Sequence, residues 1–113
     1  MTEVAKQMEI LQGTLNMMIL QALRQGAANG YEIAKSIERR SDELLQVEHG
    51  SLYPALRRLE AKGFIQAEWR TSQTNRRARF YRLTAAGKKQ LLWEHSRWQS
   101  LVQVIARVMR PSE

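Results

Sequence analysis

The chain of 113 residues contains no cysteine. That excludes a disulfide framework, a thiolate zinc site and a cysteine nucleophile. Histidine is nearly as scarce. His49 and His95 stand far apart, and neither opens an HExxH or HxH cluster, so no metal or other cofactor is expected. Long apolar runs are missing too. Met17-Met18-Ile19-Leu20 falls well short of the roughly 18 residues that cross a bilayer. The segment from Met1 to Gln12 carries acidic residues and lacks the basic start and apolar stretch of a secretory signal. No linker, repeat or low-complexity tract interrupts the chain. These absences lead to the expectation of a cytoplasmic protein of one domain with no membrane partner. They also argue against an enzyme. No nucleophile–base pair, paired carboxylates or glycine-rich phosphate loop is found.

What the chain does have is positive charge, and it is unevenly placed. The formal net charge is +7 and the isoelectric point is about 10.4. Residues 1–56 hold five basic and seven acidic side chains, whereas residues 57–113 hold thirteen basic and four acidic ones. A basic half beside a nearly neutral half implies one positive face and an anionic partner, although a solvated face has the same composition.

Periodicity predicts three helices, a hairpin and a last helix. From Glu9 to Arg24, apolar residues recur at Leu11, Leu15, Met18, Ile19, Ala22 and Leu23, the spacing of one buried helical face. Gly26 to Gly30 ends that helix. Asn29 is placed to cap the second helix, with Glu32 completing a capping box. Ile33, Ala34 and Ile37 line the second helix's inner face. Ser41 to His49 shows no period and reads as a loop with a turn at Leu44-Leu45. The third helix is expected to start near Gly50-Ser51, with Ser51 as its N-cap and Pro54 in its first turn. Leu52, Leu56 and Leu59 then face inward, Tyr53, Arg57 and Arg58 face outward, and Gly63 ends the helix. Phe64 to Arg70 and Ala78 to Leu83 alternate like strands. Ile65, Ala67 and Trp69 share one side, and Arg79, Tyr81 and Leu83 share another. The polar, basic segment between them makes the hairpin tip. Thr84 is placed to cap a helix from Ala85 to Met109, about 37 Å long at about 1.5 Å per residue.

The expected fold class is therefore mainly α with a small β-hairpin wing, an α+β arrangement. It is a winged helix-turn-helix over residues 1–84 with a C-terminal dimerisation helix over residues 85–113 in the same compact unit. A short third helix with exposed Tyr53 and Arg57 fits a DNA major groove, roughly 12 Å wide. On that reading Ser51, Tyr53, Pro54, Arg57 and Arg58 meet double-stranded DNA from the third helix, Arg57 ahead of Arg58. The hairpin tip tracks the adjacent backbone or minor groove with Arg76, Arg77 and Arg79. Tyr31 either contacts a phosphate from the second helix or packs on the third, and Lys35 is a further phosphate candidate. Glu60 is expected to pair with an arginine of its own helix, and Trp69 to pack within the wing. The last helix carries Leu91, Trp98, Val102, Ile105 and Met109 as a coiled-coil-like stripe, which Leu101, Val104 and Val108 widen. A second copy is the simplest cover for it. His95 stands near that seam, where a histidine either senses pH or is merely half-buried. The competing function is a winged-helix module that binds protein or RNA.

The block Gly50-Ser51-Leu52-Tyr53-Pro54-Ala55-Leu56-Arg57-Arg58-Leu59-Glu60-Ala61-Lys62-Gly63-Phe64-Ile65 resembles the signature of the PadR-like transcriptional regulators. Gly13-Thr14-Leu15, Gly30-Tyr31-Glu32-Ile33 and the run from Arg77 to Gly87 agree with it in order. The resemblance covers about Leu11 to Gly87. It implies a bacterial dimeric winged-helix regulator, usually a repressor, whose C-terminal helix makes the dimer. Some members carry a larger C-terminal helical domain. This chain has one helix there and looks like the short-tailed subgroup. One branch holds flat aromatic drugs between tryptophans at the dimer interface, which would make Trp98 an effector contact here.

Overall fold

A computed structural model describes residues 13–71 and 73–112. Its elements are α1 (Thr14–Leu23), β1 (Ala28–Asn29), α2 (Gly30–Arg40), α3 (His49–Ala61), β2 (Ile65–Thr71), β3 (Arg77–Leu83) and α4 (Ala85–Val108). The strands form one antiparallel sheet in the order β1-β3-β2. This is the expected α+β winged helix, with one strand more than the sequence suggested. β1 is two residues long, too short for any alternation to show, and pairs Ala28 with Tyr81 and Asn29 with Phe80.

The core lies where α1, α2 and α3 meet the base of the hairpin. Ile19, Leu20, Ile33, Leu52, Leu56, Leu59 and Ile65 are all but fully enclosed. Of the expected first helix, residues 9–12, Leu11 among them, lie outside the described residues. The rest buries Leu15, Ile19, Leu20 and Leu23. The α2 capping box is present. The Asn29 side chain accepts from the Glu32 backbone at 2.8 Å, and Glu32 accepts from the Asn29 backbone at 3.0 Å.

The connection from α2 to α3 is longer than a short helix-turn-helix turn, and it is tied down. Asp42 and Glu43 adopt positive φ. Ser41 Oγ donates to the Glu38 carbonyl at 2.9 Å and accepts from the Leu45 N–H at 3.1 Å. The Val47 N–H donates to Glu38 Oε2 at 3.0 Å. With Val47 buried and held, α3 starts sooner than expected. Its N-cap is Glu48, which makes no side-chain capping bond, and Ser51 is the third helical residue. Pro54 accordingly falls in the second turn. There it has no N–H to donate to the carbonyl of Gly50, an exposed residue.

The end of α3 follows expectation. Gly63 has φ +81. The Gly63 N–H donates to the Glu60 carbonyl at 3.0 Å and the Phe64 N–H to the Leu59 carbonyl at 3.0 Å, the two bonds of a Schellman cap. Thr84 then fastens α4 to this corner. Its N–H donates to the Phe64 carbonyl at 3.1 Å. Its hydroxyl donates to the Gly63 carbonyl at 2.7 Å and accepts from the Gly87 N–H at 3.0 Å.

Only the first turns of α4 reach the core. Leu91, expected on the dimer seam, is instead buried at 4% exposure among the core residues of its own chain. It lies two turns from the Thr84 anchor, where α4 still runs against α1 and β3. From Leu92 to Ser112 no residue is buried, and the molecule extends to 61 Å along its long axis.

Candidate nucleic-acid interface

The inner face of α3 is fixed by Leu52, Ala55, Leu56 and Leu59, all buried. Helical geometry then directs Ser51, Tyr53, Arg57 and Arg58 outward, and all four are exposed. Tyr53 is not free of the protein, however. Its ring lies across the start of α2, so close that a Cβ on Gly30 would stand 2.7 Å from the Tyr53 hydroxyl. The His49 ring meets its edge at 5.8 Å. Gly30 therefore lets the two helices converge on Tyr53. The close approach itself was invisible in the sequence, where Gly30 read as the end of a turn and as the opening of the Gly30-Tyr31-Glu32-Ile33 block.

Between α3 and the hairpin runs an open groove of 420 Å³, lined by Tyr31, Tyr53, Arg57, Trp69, Arg79 and Tyr81 among others. The structure thus gathers four predicted residues, Tyr31, Tyr53, Arg57 and Arg79, on one surface. Ser51, Pro54 and Arg58 lie outside its lining. Tyr31 is 62% exposed and carries the Lys35 ammonium over its ring at 5.6 Å. Lys35 also reaches Glu38 at 3.7 Å.

The hairpin register places Ile65, Ala67 and Trp69 opposite Leu83, Tyr81 and Arg79. Those six residues share the face toward α3. On it the Arg77 and Arg79 guanidiniums lie over the Trp69 ring at 5.4 and 6.0 Å, and Arg79 also lies 5.9 Å from the Tyr81 ring. Trp69, expected as packing, is 58% exposed and serves as a platform for arginines. On the other face Arg70 lies over Phe80 at 5.3 Å and bonds Glu68 at 2.8 Å, while Arg82 donates to Gln66. That bond from Arg70 holds the Glu68 carboxyl below the usual carboxylate range. Asn75 turns the tip at φ +62, and Arg76 and Arg77 stand exposed there.

Two expectations about charged groups are corrected. Glu60 does not pair within its own helix. It accepts from Arg79 Nη2 of β3 at 2.9 Å. Nor does Arg79 belong to the tip with Arg76 and Arg77. It lies partway down the inner face, and its side chain is 40% exposed. The signal was present in the alternation, which grouped Arg79 with Tyr81 and Leu83. Below it, burial pushes the Tyr81 phenol above its ordinary value of 10.0, against the opposing influence of the Arg79 charge. Among the described residues, no group of three or more histidine, cysteine, aspartate or glutamate side chains is placed to hold a metal. No helix among them is long and apolar enough to cross a membrane.

The model of the transcriptional regulator PadR-like family matches residues 19–92, about two thirds of the chain, from α1 into α4. The chain belongs to the PadR-like family. Solved structures of transcriptional regulators agree in shape. A transcriptional regulator from Clostridium thermocellum superimposes with a TM-score of 0.80 at 32% identity, over 88% of this chain and 96% of that one. A PadR family regulator from Eggerthella lenta gives 0.76 at 31%, over 89% and 86%. The negative transcriptional regulator PadR of Bacillus subtilis is 31% identical over 77 residues, 68% of this chain. The match spans only 42% of that longer protein. As a PadR-like protein the chain is a DNA-binding transcriptional regulator and not an enzyme.

Proposed function

We propose that this PadR-like protein is a homodimeric repressor of the cytoplasm that occludes a promoter at a pseudo-palindromic operator. The observation that carries the reading is the arginine-lined groove between α3 and the wing. Tyr53 and Arg57 form one wall, and Arg79 of β3 with the Trp69 ring beside it forms the other. Arg57 and Tyr53, with Ser51 beside them, are assigned to base edges in a major groove. Tyr31, Lys35, Pro54, Arg58, Arg76 and Arg77 are assigned to the sugar–phosphate backbone around it. Two copies joined through α4 would set two such helices about 34 Å apart, one helical turn of DNA. Trp98, Leu101, Val102, Ile105 and Met109 are the surface assigned to that joint, since none is covered in a single copy. Trp98, with the His95 ring stacked 6.5 Å away, is also where a small aromatic effector would enter.

Salt-dependent binding tests the reading. A DNA selected by the protein from a random pool is compared with a random fragment of equal length. A preference of about 10³ or more, with two copies bound per site, is expected of a specific regulator. Equal binding to both with a steep salt slope would reduce the surface to a general polycation.

A further inference from the structure

The Glu60–Arg79 pair places a carboxylate beside the groove assigned to DNA, outside its lining but bonded to Arg79 of its wall. Glu60 follows Arg57 by three residues on the outward side of α3, and its side chain is 32% exposed. A negative charge there opposes DNA, so its presence calls for a physical reason. The geometry supplies one. The base of the hairpin is fixed by the core through buried Ile65 and Tyr81. Beyond Ala67 the residues of β2 are exposed while Ala78, Arg79 and Phe80 of β3 are half-buried, and Trp69 is the last aromatic side chain on the inner face. The 2.9 Å bond from Arg79 to Glu60 joins α3 to β3 at the boundary between the anchored and the exposed parts. Arg79 is also held in place by its surroundings. Its guanidinium lies near the rings of Trp69 and Tyr81. Its Nε is enclosed and has no hydrogen-bond partner, an arrangement unfavourable in itself, which the ion pair and ring contacts offset.

We propose that Glu60 is a positioning residue for DNA recognition. It clamps Arg79, and through Arg79 it sets the angle of the wing to the recognition helix. On this view Arg79 orients the wing, and phosphate contact falls to Arg76 and Arg77 at the tip. Arg57 reads bases at a register that the tip arginines and α3 must satisfy together, so a wing free to swing loses the preferred sequence before it loses DNA. The inference rests on the operator reading given above.

The test is Glu60→Gln, measured on the selected DNA and on random DNA beside the wild type. The substitution removes one negative charge and so raises the net charge by one. Electrostatics alone would tighten binding to both DNAs. The clamp requires the opposite sign on the selected site, a loss of tenfold or more, with random DNA bound as well as before or better. The charge-exchanged double variant Glu60→Arg with Arg79→Glu keeps the net charge and is expected to recover most of the preference. Glu60→Asp keeps the charge but shortens the reach. It should lose preference as Glu60→Gln does, and it decides the matter if the glutamine variant fails to fold. An unchanged ratio of selected to random binding in Glu60→Gln or Glu60→Asp overturns the clamp while leaving the operator reading intact. A wild type without preference for its selected DNA removes both.

Discussion

Arg57 and Arg76 carry the same charge in different surroundings, and the proposed division between reading and holding follows that difference. Arg57 is fixed on a rigid helix, on the wall of the groove beside Tyr53. Arg76 stands at the exposed tip of a hairpin. Arg57→Ala should cost about 1–3 kcal/mol on the preferred site and relax base preference there. Arg76→Ala should weaken all sequences alike and lower the salt slope by about one. Binding isotherms at several salt concentrations, on selected and random DNA, distinguish the two. Equal losses on both DNAs for Arg57→Ala would remove its reading role. Tyr81 gives a second test at this scale. Its phenol is pushed up by burial, so the folded state holds the neutral form more firmly than the unfolded chain does. Its contribution to stability is complete below pH 10 and is lost as pH rises through the folded value. Tyr81→Phe cannot ionise. Alkaline unfolding followed by circular dichroism should therefore begin at higher pH in Tyr81→Phe than in the wild type. Coincident curves would show that Tyr81 ionises as easily folded as unfolded.

Among the elements, the start of α4 is the tightest joint. A Cβ on Gly87 would lie 2.0 Å from the Phe64 carbonyl oxygen and 2.8 Å from Leu83 Cδ1. The first neighbour is backbone held by the Thr84 N–H, so it cannot move aside. Gly87→Ala should destabilise the fold by about 3 kcal/mol, the upper end of ordinary overpacking. Denaturant unfolding would show it as a lowered midpoint, and an unchanged midpoint would mean that this corner opens freely. Elements written in local spacing were legible beforehand. The Asn29–Glu32 box, the Gly63 stop and the Thr84 cap each lie within a few residues, as their hydrogen bonds do. Features set by distant partners were not. The start of α3 depends on a bond between Val47 and Glu38, and β1 exists only because β3 lies beside it. The site divides in the same way. Tyr53 and Arg57 were legible from the helical wheel, whereas the pairing of Glu60 with Arg79 crosses 19 residues and needs the fold to be seen.

For the molecule as a whole, the question is how α4 remains a helix beyond its anchored turns. Gly87 and Leu91 hold its beginning. From Leu92 to Ser112 no residue is buried, yet Trp98, Leu101, Val102, Val104, Ile105 and Val108 are large and apolar. An isolated helical segment of this length is marginal in water, and an apolar face this broad is a standard mark of an interface. The proposed association through α4 would resolve both difficulties, since the same contact would cover the face and stabilise the helix. Ile105→Glu, placing a charge in the middle of that surface, should therefore have coupled effects. Sedimentation should shift from two copies to the 13.1 kDa single chain. Far-ultraviolet circular dichroism should lose helix equivalent to the outer turns of α4, while the core built on Leu91 and α1 still unfolds cooperatively. Operator affinity should fall much further than random-DNA affinity, because only the paired recognition helices gain from a second half-site. A variant that stays dimeric would move the joint between copies away from α4. A variant that becomes monomeric but keeps full operator affinity would show that one copy reads the site alone.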